Sequence, residues 1–161
     1  MIDVTNRHCR FFFRKFSKYA RLYTEMVVAD SIIFGNKDFL LGFDEVEHPV
    51  ALQIAGSDPK TLSQAAVIGE QYGYDEINLN IGCPSKRVQA GNFGACLMAD
   101  PKLVSECVES IKEKVKIPVT IKCRIAIDDY NPDEMLTEFV ETTKKTGVST
   151  FIIHARKAML D

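Results

Sequence analysis

No apolar run in this chain approaches the ~18 residues needed to cross a bilayer, so no membrane-spanning segment is expected. Residues 1–14 carry charges and lack the apolar core of a secretory leader, so none is expected there. There is no CxxC pair. The five cysteines, Cys9, Cys83, Cys96, Cys107 and Cys123, are odd in number and widely spaced, which argues against a disulfide framework and against a structural metal site. Reduced thiols in the cytoplasm are the expectation. Positive charge is not in excess: 20 basic residues face 22 acidic ones, for a net charge of −2. Composition alone therefore gives no sign of nucleic-acid binding, which ordinarily shows as a basic surplus or stripe. There is no repeat of solenoid length and no low-complexity stretch. No Gly-x-Gly-x-x-Gly follows the first strand-like run, which counts against a dinucleotide-binding fold.

What is present is an alternation of two periodicities. Leu22–Val28, Val50–Ile54, Glu76–Ile81, Val119–Cys123 and Thr150–His154 read as five strands, and in Glu76–Ile81 the residues Ile77, Leu79 and Ile81 share one face. Between them run helical stripes: Leu62, Ala65, Ala66, Ile68 and Gly69; Leu103, Val104, Cys107, Val108, Ile111 and Val115; Met135, Leu136, Phe139 and Val140. A further stripe near the start, Cys9, Phe12, Phe13 and Phe16, is expected to pack in the core, although Phe11–Phe13 flanked by Arg10, Arg14 and Lys15 also has the look of a base-stacking cluster. Asp58-Pro59, Asp100-Pro101 and Asn131-Pro132 each put a capping side chain before a proline at the first helical position. Pro49 and Pro118 precede strands, where a missing N–H matters little.

Strand–helix alternation with nearly continuous apolar strands implies a parallel sheet covered by helices, either doubly wound or a (β/α)8 barrel. Polar residues gather at the strands' C-terminal ends: Glu25, Gln53, Asn80, Lys122 and His154. Those ends carry the active site of a TIM barrel, and the expected fold class is α/β, a partial (β/α)8 TIM barrel of about five strands. A whole barrel takes about 250 residues, so the 161 present are expected to be part of one, as a fragment or a truncated reading frame.

Cys83 follows a strand directly, in Gly82-Cys83-Pro84-Ser85, with Gly82 expected to permit close backbone approach and Pro84 to stiffen the turn. A thiol of ordinary pKa, about 8.5, is mostly protonated at neutral pH and can donate a proton, or attack if that pKa is lowered. Cys9, Cys107 and Cys123 lie in stripes or a strand and read as small buried hydrophobes, and Cys96 leans the same way. Lys122 must either reach solvent or face a partner such as an anion. His154 ends its strand in the same manner. The Gln53 amide suits the donors and acceptors of a flat heterocycle, and Asn80 suits a substrate amide. Asn78, one alternation deeper, reads as structural. Asp128-Asp129 reads as a solvated loop, and Glu45, Glu47 and His48 as a polar loop without metal spacing.

These residues resemble a known family. Asn78-Leu79-Asn80-Ile81-Gly82-Cys83-Pro84-Ser85, together with Leu22–Val27, His48–Gln53, Phe93–Met98, Ile117–Lys122 and Phe151–Ala158, is similar to the bacterial tRNA-dihydrouridine synthases; His154-Ala155-Arg156-Lys157-Ala158 is more typical of their A type. The resemblance runs over essentially the whole chain. It implies reduction of uracil to 5,6-dihydrouracil in the D-loop of tRNA, with FMN and NADPH as cofactors and no metal. It makes Cys83 the general acid that protonates C5 after hydride reaches C6, with Met1, Gln53, Lys122 and His154 at cofactor-binding positions and Asn80 at a substrate-binding one. It implies further that the rest of the barrel, the FMN phosphate loops and a C-terminal helical tRNA-binding domain lie outside residues 1–161. Only Met1 remains of the family's first-strand Ala-Pro-Met segment, and Ala126 stands where glycine is expected. Two other readings stay open at this level: an FMN barrel that reduces free pyrimidine-like compounds, and an inactive truncated fragment.

Overall fold

The computed structural model describes residues 4–160, so Met1 lies outside the described residues. Five strands, β1 (Leu22–Val28), β2 (Val50–Ala55), β3 (Glu76–Ile81), β4 (Val119–Arg124) and β5 (Phe151–His154), form one sheet. All pairs are parallel, and the spatial order is the chain order, β1-β2-β3-β4-β5. The helices are α1 (Arg7–Arg14), α2 (Ala29–Phe34), α3 (Lys37–Leu41), α4 (Pro59–Gln71), α5 (Lys86–Ala90), α6 (Pro101–Lys112) and α7 (Pro132–Thr143). The three expected caps form as read: Asp58, Asp100 and Asn131 each accept from a first-turn N–H, with proline at the first helical position.

The two faces of the sheet differ in chemistry. Val50, Leu52, Ile54, Ile77, Leu79, Ile81, Ile121 and Cys123 are buried in the hydrophobic core. A methyl group on Gly69 of α4 would strike Leu52 and Ile77, so this is the face on which the helices lie. There α2, α4, α6 and α7 stand side by side in chain order. The opposite face carries Gln53, Glu76, Asn78, Asn80, Thr120, Lys122 and Arg124, alternating with the apolar set as the two-residue period of a strand requires. Helices on one face and a strand order that never reverses distinguish this arrangement from a doubly wound sheet, which has both faces covered and a switch point. It is a partial (β/α)8 barrel whose polar face is the barrel interior. Low in that interior, Asn78 Nδ2 donates to Thr120 Oγ1 (2.8 Å), Thr120 donates to Glu76 (2.6 Å), and Tyr23 OH donates to the same carboxylate (3.1 Å).

Helix α1 overturns the expected core packing of Phe12, Phe13 and Phe16. These rings are 58%, 51% and 73% exposed, and the buried residues of the helix are Arg10 and Arg14. The cause is a carboxylate and a set of carbonyls beneath the helix. Arg10 Nε pairs with the fully buried Glu47 at 2.5 Å, and Arg14 Nη2 donates to the carbonyls of Glu47 (2.7 Å) and Pro49 (3.1 Å). Buried charges that find such partners set which way the helix faces. The loop around Glu45–His48 is therefore not simply solvated, since Glu47 is its anchor. Asp128 likewise is not a free loop residue: its Oδ1 accepts from Leu160 N (2.7 Å), next to the Ile127–Ala158 bridge.

Candidate active site at the strand ends

At the C-terminal end of the sheet the polar face carries four of the residues singled out in the sequence on adjacent strands. Gln53 is on β2, Asn80 on β3, Lys122 beside Asn80 in register on β4, and His154 beside Arg124 in register on β5. Cys83 stands in the loop just after β3. Gln53 and Asn80 are buried, Lys122 and Cys83 are half-buried, and His154 is exposed.

A directed chain of hydrogen bonds links Gln53, Asn80 and the cysteine loop. The β1–β2 register shifts between Tyr23 and Met26, so Thr24 and Glu25 bulge out of the ladder. Thr24 thereby meets Gln53 twice: its Oγ1 accepts from Gln53 N and its carbonyl accepts from Gln53 Nε2, both at 2.9 Å. Gln53 Oε1 in turn accepts from Asn80 Nδ2 at 2.5 Å. Asn80 Oδ1 accepts from the backbone N–H of Gly82 (3.0 Å) and of Cys83 (3.1 Å). The carboxamide of Asn80 thus holds the cysteine loop from below.

From above, the loop is held by the 3₁₀ turn Gly94–Ala99, whose Ala95 N–H donates to the Cys83 carbonyl (2.9 Å). Gly94 adopts φ +78°, and a methyl group there would lie 2.6 Å from the Cys83 carbonyl oxygen and 2.4 Å from Val88. Glycine is needed at this point. It is not needed at Gly82, where a methyl would meet the Cys123 backbone at an ordinary 3.4–3.5 Å. The close approach expected of Gly82 therefore belongs to Gly94. Ser85, with its hydroxyl 3.7 Å from the Cys83 sulfur, caps α5, and Gln89 Nε2 donates to the Pro84 carbonyl at 2.8 Å.

Lys122 and Arg124 bring positive charge together, with the His154 imidazole beside them. Burial, and then the Arg124 guanidinium, lower the proton affinity of the Lys122 ammonium. The Arg124 charge first, then slight desolvation and the charges of Lys122 and Arg156, lower that of His154. Such a set gains from an anion placed among its members. Cys107 and Cys123 are buried as expected, and burial pushes their thiols up to about 12 and about 11, whereas Cys9 and Cys96 are only half-buried, against the expectation of core residues. On the far side of the cysteine loop a cleft of about 520 Å³ opens, bordered by Arg7, Thr24, Glu25, Ser85, Arg87 and Phe93 among others. Among the described residues no group of three or more His, Cys, Asp or Glu side chains is disposed to hold a metal, and no helix is long and apolar enough to cross a membrane.

Two residues of this site carried no signal as single letters. Arg124 was only the end of an apolar strand, and Gly94 one glycine in an ordinary stretch. Each is recognisable only once the cysteine loop is seen between them.

Residues 1–160 match the family model for dihydrouridine synthase. Over 161 residues the chain is 55% identical to a tRNA-dihydrouridine(20/20a) synthase of Vibrio parahaemolyticus, with 99% of this chain and 49% of that protein covered. Proteins of the same name match at 56% identity in Pasteurella multocida (99% of this chain, 49% of that one) and at 52% in Xanthomonas axonopodis (99% and 48%). The chain spans about half the length of the curated relatives it matches.

Proposed function

The chain belongs to the dihydrouridine synthase family, and from that premise we propose that it forms the N-terminal part of the catalytic barrel of an A-type tRNA-dihydrouridine synthase, with FMN and NADPH as cofactors and uridine of the tRNA D-loop as substrate. The observation that carries this reading is the backbone clamp on Cys83, at the strand ends and in one polar layer with Gln53, Asn80, Lys122 and His154.

The residues fit a flavin. A half-buried ammonium beside a guanidinium gains from an anionic neighbour, and the pyrimidine end of a reduced flavin is anionic. In this reading Lys122 would hold that end, the Gln53 amide would meet the ring's polar edge, and His154 would close the site from β5. Met1, at the remnant of the family's first-strand segment, belongs to the same cofactor set. When bound, FMN reduced by NADPH supplies the electrons and the hydrogen that go to C6 of the uracil.

The remaining work falls to this chain's side chains. Addition at C6 leaves negative charge spread from C5 to the carbonyl oxygen of the base, and a proton is then required at C5. Cys83 holds that proton on Sγ and gives it to C5 as general acid. Asn80, clamped between Gln53 and the loop, sets the height of the thiol and lies where a substrate amide would pass. The uracil must leave its stack to reach this layer. Arg7 and Arg87 border the cleft, where phosphates of the tRNA backbone would gain from their charge.

The test is direct. The protein expressed as its complete reading frame is expected to purify with FMN absorbance and to convert uridine to dihydrouridine in transcribed tRNA when NADPH is supplied. Dihydrouridine formed from free uracil or uridine but not from tRNA would contradict the assignment, as would no product at all.

A further inference from the structure

We propose that Arg124 is a positioning residue for the general acid: by holding the Gly82 carbonyl it fixes the orientation of the Gly82–Cys83 peptide, and so the direction from which the Cys83 thiol reaches the base. This inference rests on the function proposed above.

Arg124 is the last residue of β4 and is half-buried. Its Nε donates to the Gly82 carbonyl at 3.0 Å, and its Nη1 reaches the Lys157 carbonyl at 3.5 Å. One side chain thus ties the ends of three neighbouring strands. The carbonyl it holds has a particular place in the loop. Gly82 C=O and Cys83 N–H are the two poles of a single planar peptide unit. Asn80 Oδ1 holds the N–H pole and Arg124 Nε holds the C=O pole. Rotation of that plane would break both bonds at once. Ala95 N–H then fixes the Cys83 carbonyl on the other side of Cα. The cysteine backbone is held at three points from three elements, and only χ1 is left to aim the sulfur.

Charge alone would not place an arginine here. Its guanidinium sits close enough to Lys122 and His154 to lower the proton affinity of both, and beside the Lys122 ammonium it is an unfavourable grouping of like charges. What arginine adds is a rigid planar fork able to serve two carbonyls at once, which the flexible, compact ammonium of lysine does not reproduce.

The experiment uses the complete reading frame and the variants Arg124→Lys and Arg124→Gln, with transcribed tRNA and NADPH. Both are expected to fold and to keep KM for tRNA within about threefold of wild type. Both are expected to lose about 10- to 100-fold in kcat, the scale of a small misplacement of a reacting group, and to show a larger solvent deuterium effect on kcat because protonation has become slower. Wild-type kcat in Arg124→Lys would overturn the proposal in favour of a purely electrostatic role. Loss of the folded state in both variants by circular dichroism would also overturn it, since Arg124 would then hold the sheet rather than the thiol. A wild type that forms no dihydrouridine would overturn the underlying function, and this role with it.

Discussion

Cys83 owes its surroundings to one residue of its own motif and to two that lie far from it in the chain. Asn80 takes the N–H groups of Gly82 and Cys83, the turn opened by Gly94 takes the Cys83 carbonyl, and Arg124 takes the carbonyl before it. Of these, Asn80 was legible in the sequence because it lies three residues from the cysteine at the end of the same strand. Gly94 and Arg124 were not, because their distance from Cys83 closes only in three dimensions. The same geometry moves the close approach expected of Gly82 to Gly94. Gly94→Ala would force a side chain into the left-handed region and against a backbone oxygen, so it is expected to destabilise the fold by about 1–3 kcal/mol in urea denaturation. Gly82→Ala meets only ordinary contacts and is expected to cost less than about 1 kcal/mol. Equal losses at the two positions would show that the loop is held in some other way.

Among the elements, the strands and the three long capped helices followed from period and punctuation, because each has one apolar face and a cap that fits it. Helix α1 did not. Its phenylalanines recur at helical spacing, but the surface beneath it offers a buried carboxylate and backbone carbonyls, and the arginines answer those instead. Hydrophobic periodicity cannot register a partner that lies more than 30 residues away, as Glu47 does from Arg10. The consequence is measurable. Arg10→Met leaves Glu47 as an uncompensated buried charge and is expected to destabilise by about 3–5 kcal/mol. Phe12→Ser, on the exposed side, is expected to change stability by no more than about 0.5 kcal/mol. A large loss from Phe12→Ser and a small one from Arg10→Met would restore the inward-facing phenylalanines. The short helices α2, α3 and α5 escaped the sequence reading because five or six residues are too few to establish a period.

For the molecule as a whole, a net charge of −2 conceals a local grouping of cations at the C-terminal ends of the strands. At the N-terminal ends of β2 and β3 the carboxylates of Glu47 and Glu76 are paired with Arg10 and Arg21, while Lys122, Arg124, Arg156 and Lys157 gather at the C-terminal ends of β4 and β5. Summed composition erased this grouping, which is why it gave no sign of a polyanion, whereas the fold class, being a matter of element order, was legible. The cationic rim surrounds the clamped thiol and suits a nucleic-acid substrate approaching from that end. The central claim is that the thiol on this rim delivers the proton to C5, and it is tested most directly by single-turnover formation of dihydrouridine in transcribed tRNA, comparing the complete wild-type protein with Cys83→Ala at matched FMN content. The account predicts a rate lower by about 10²–10⁴-fold in the variant, the usual contribution of a positioned general acid; dihydrouridine formed by Cys83→Ala at the wild-type rate would contradict it.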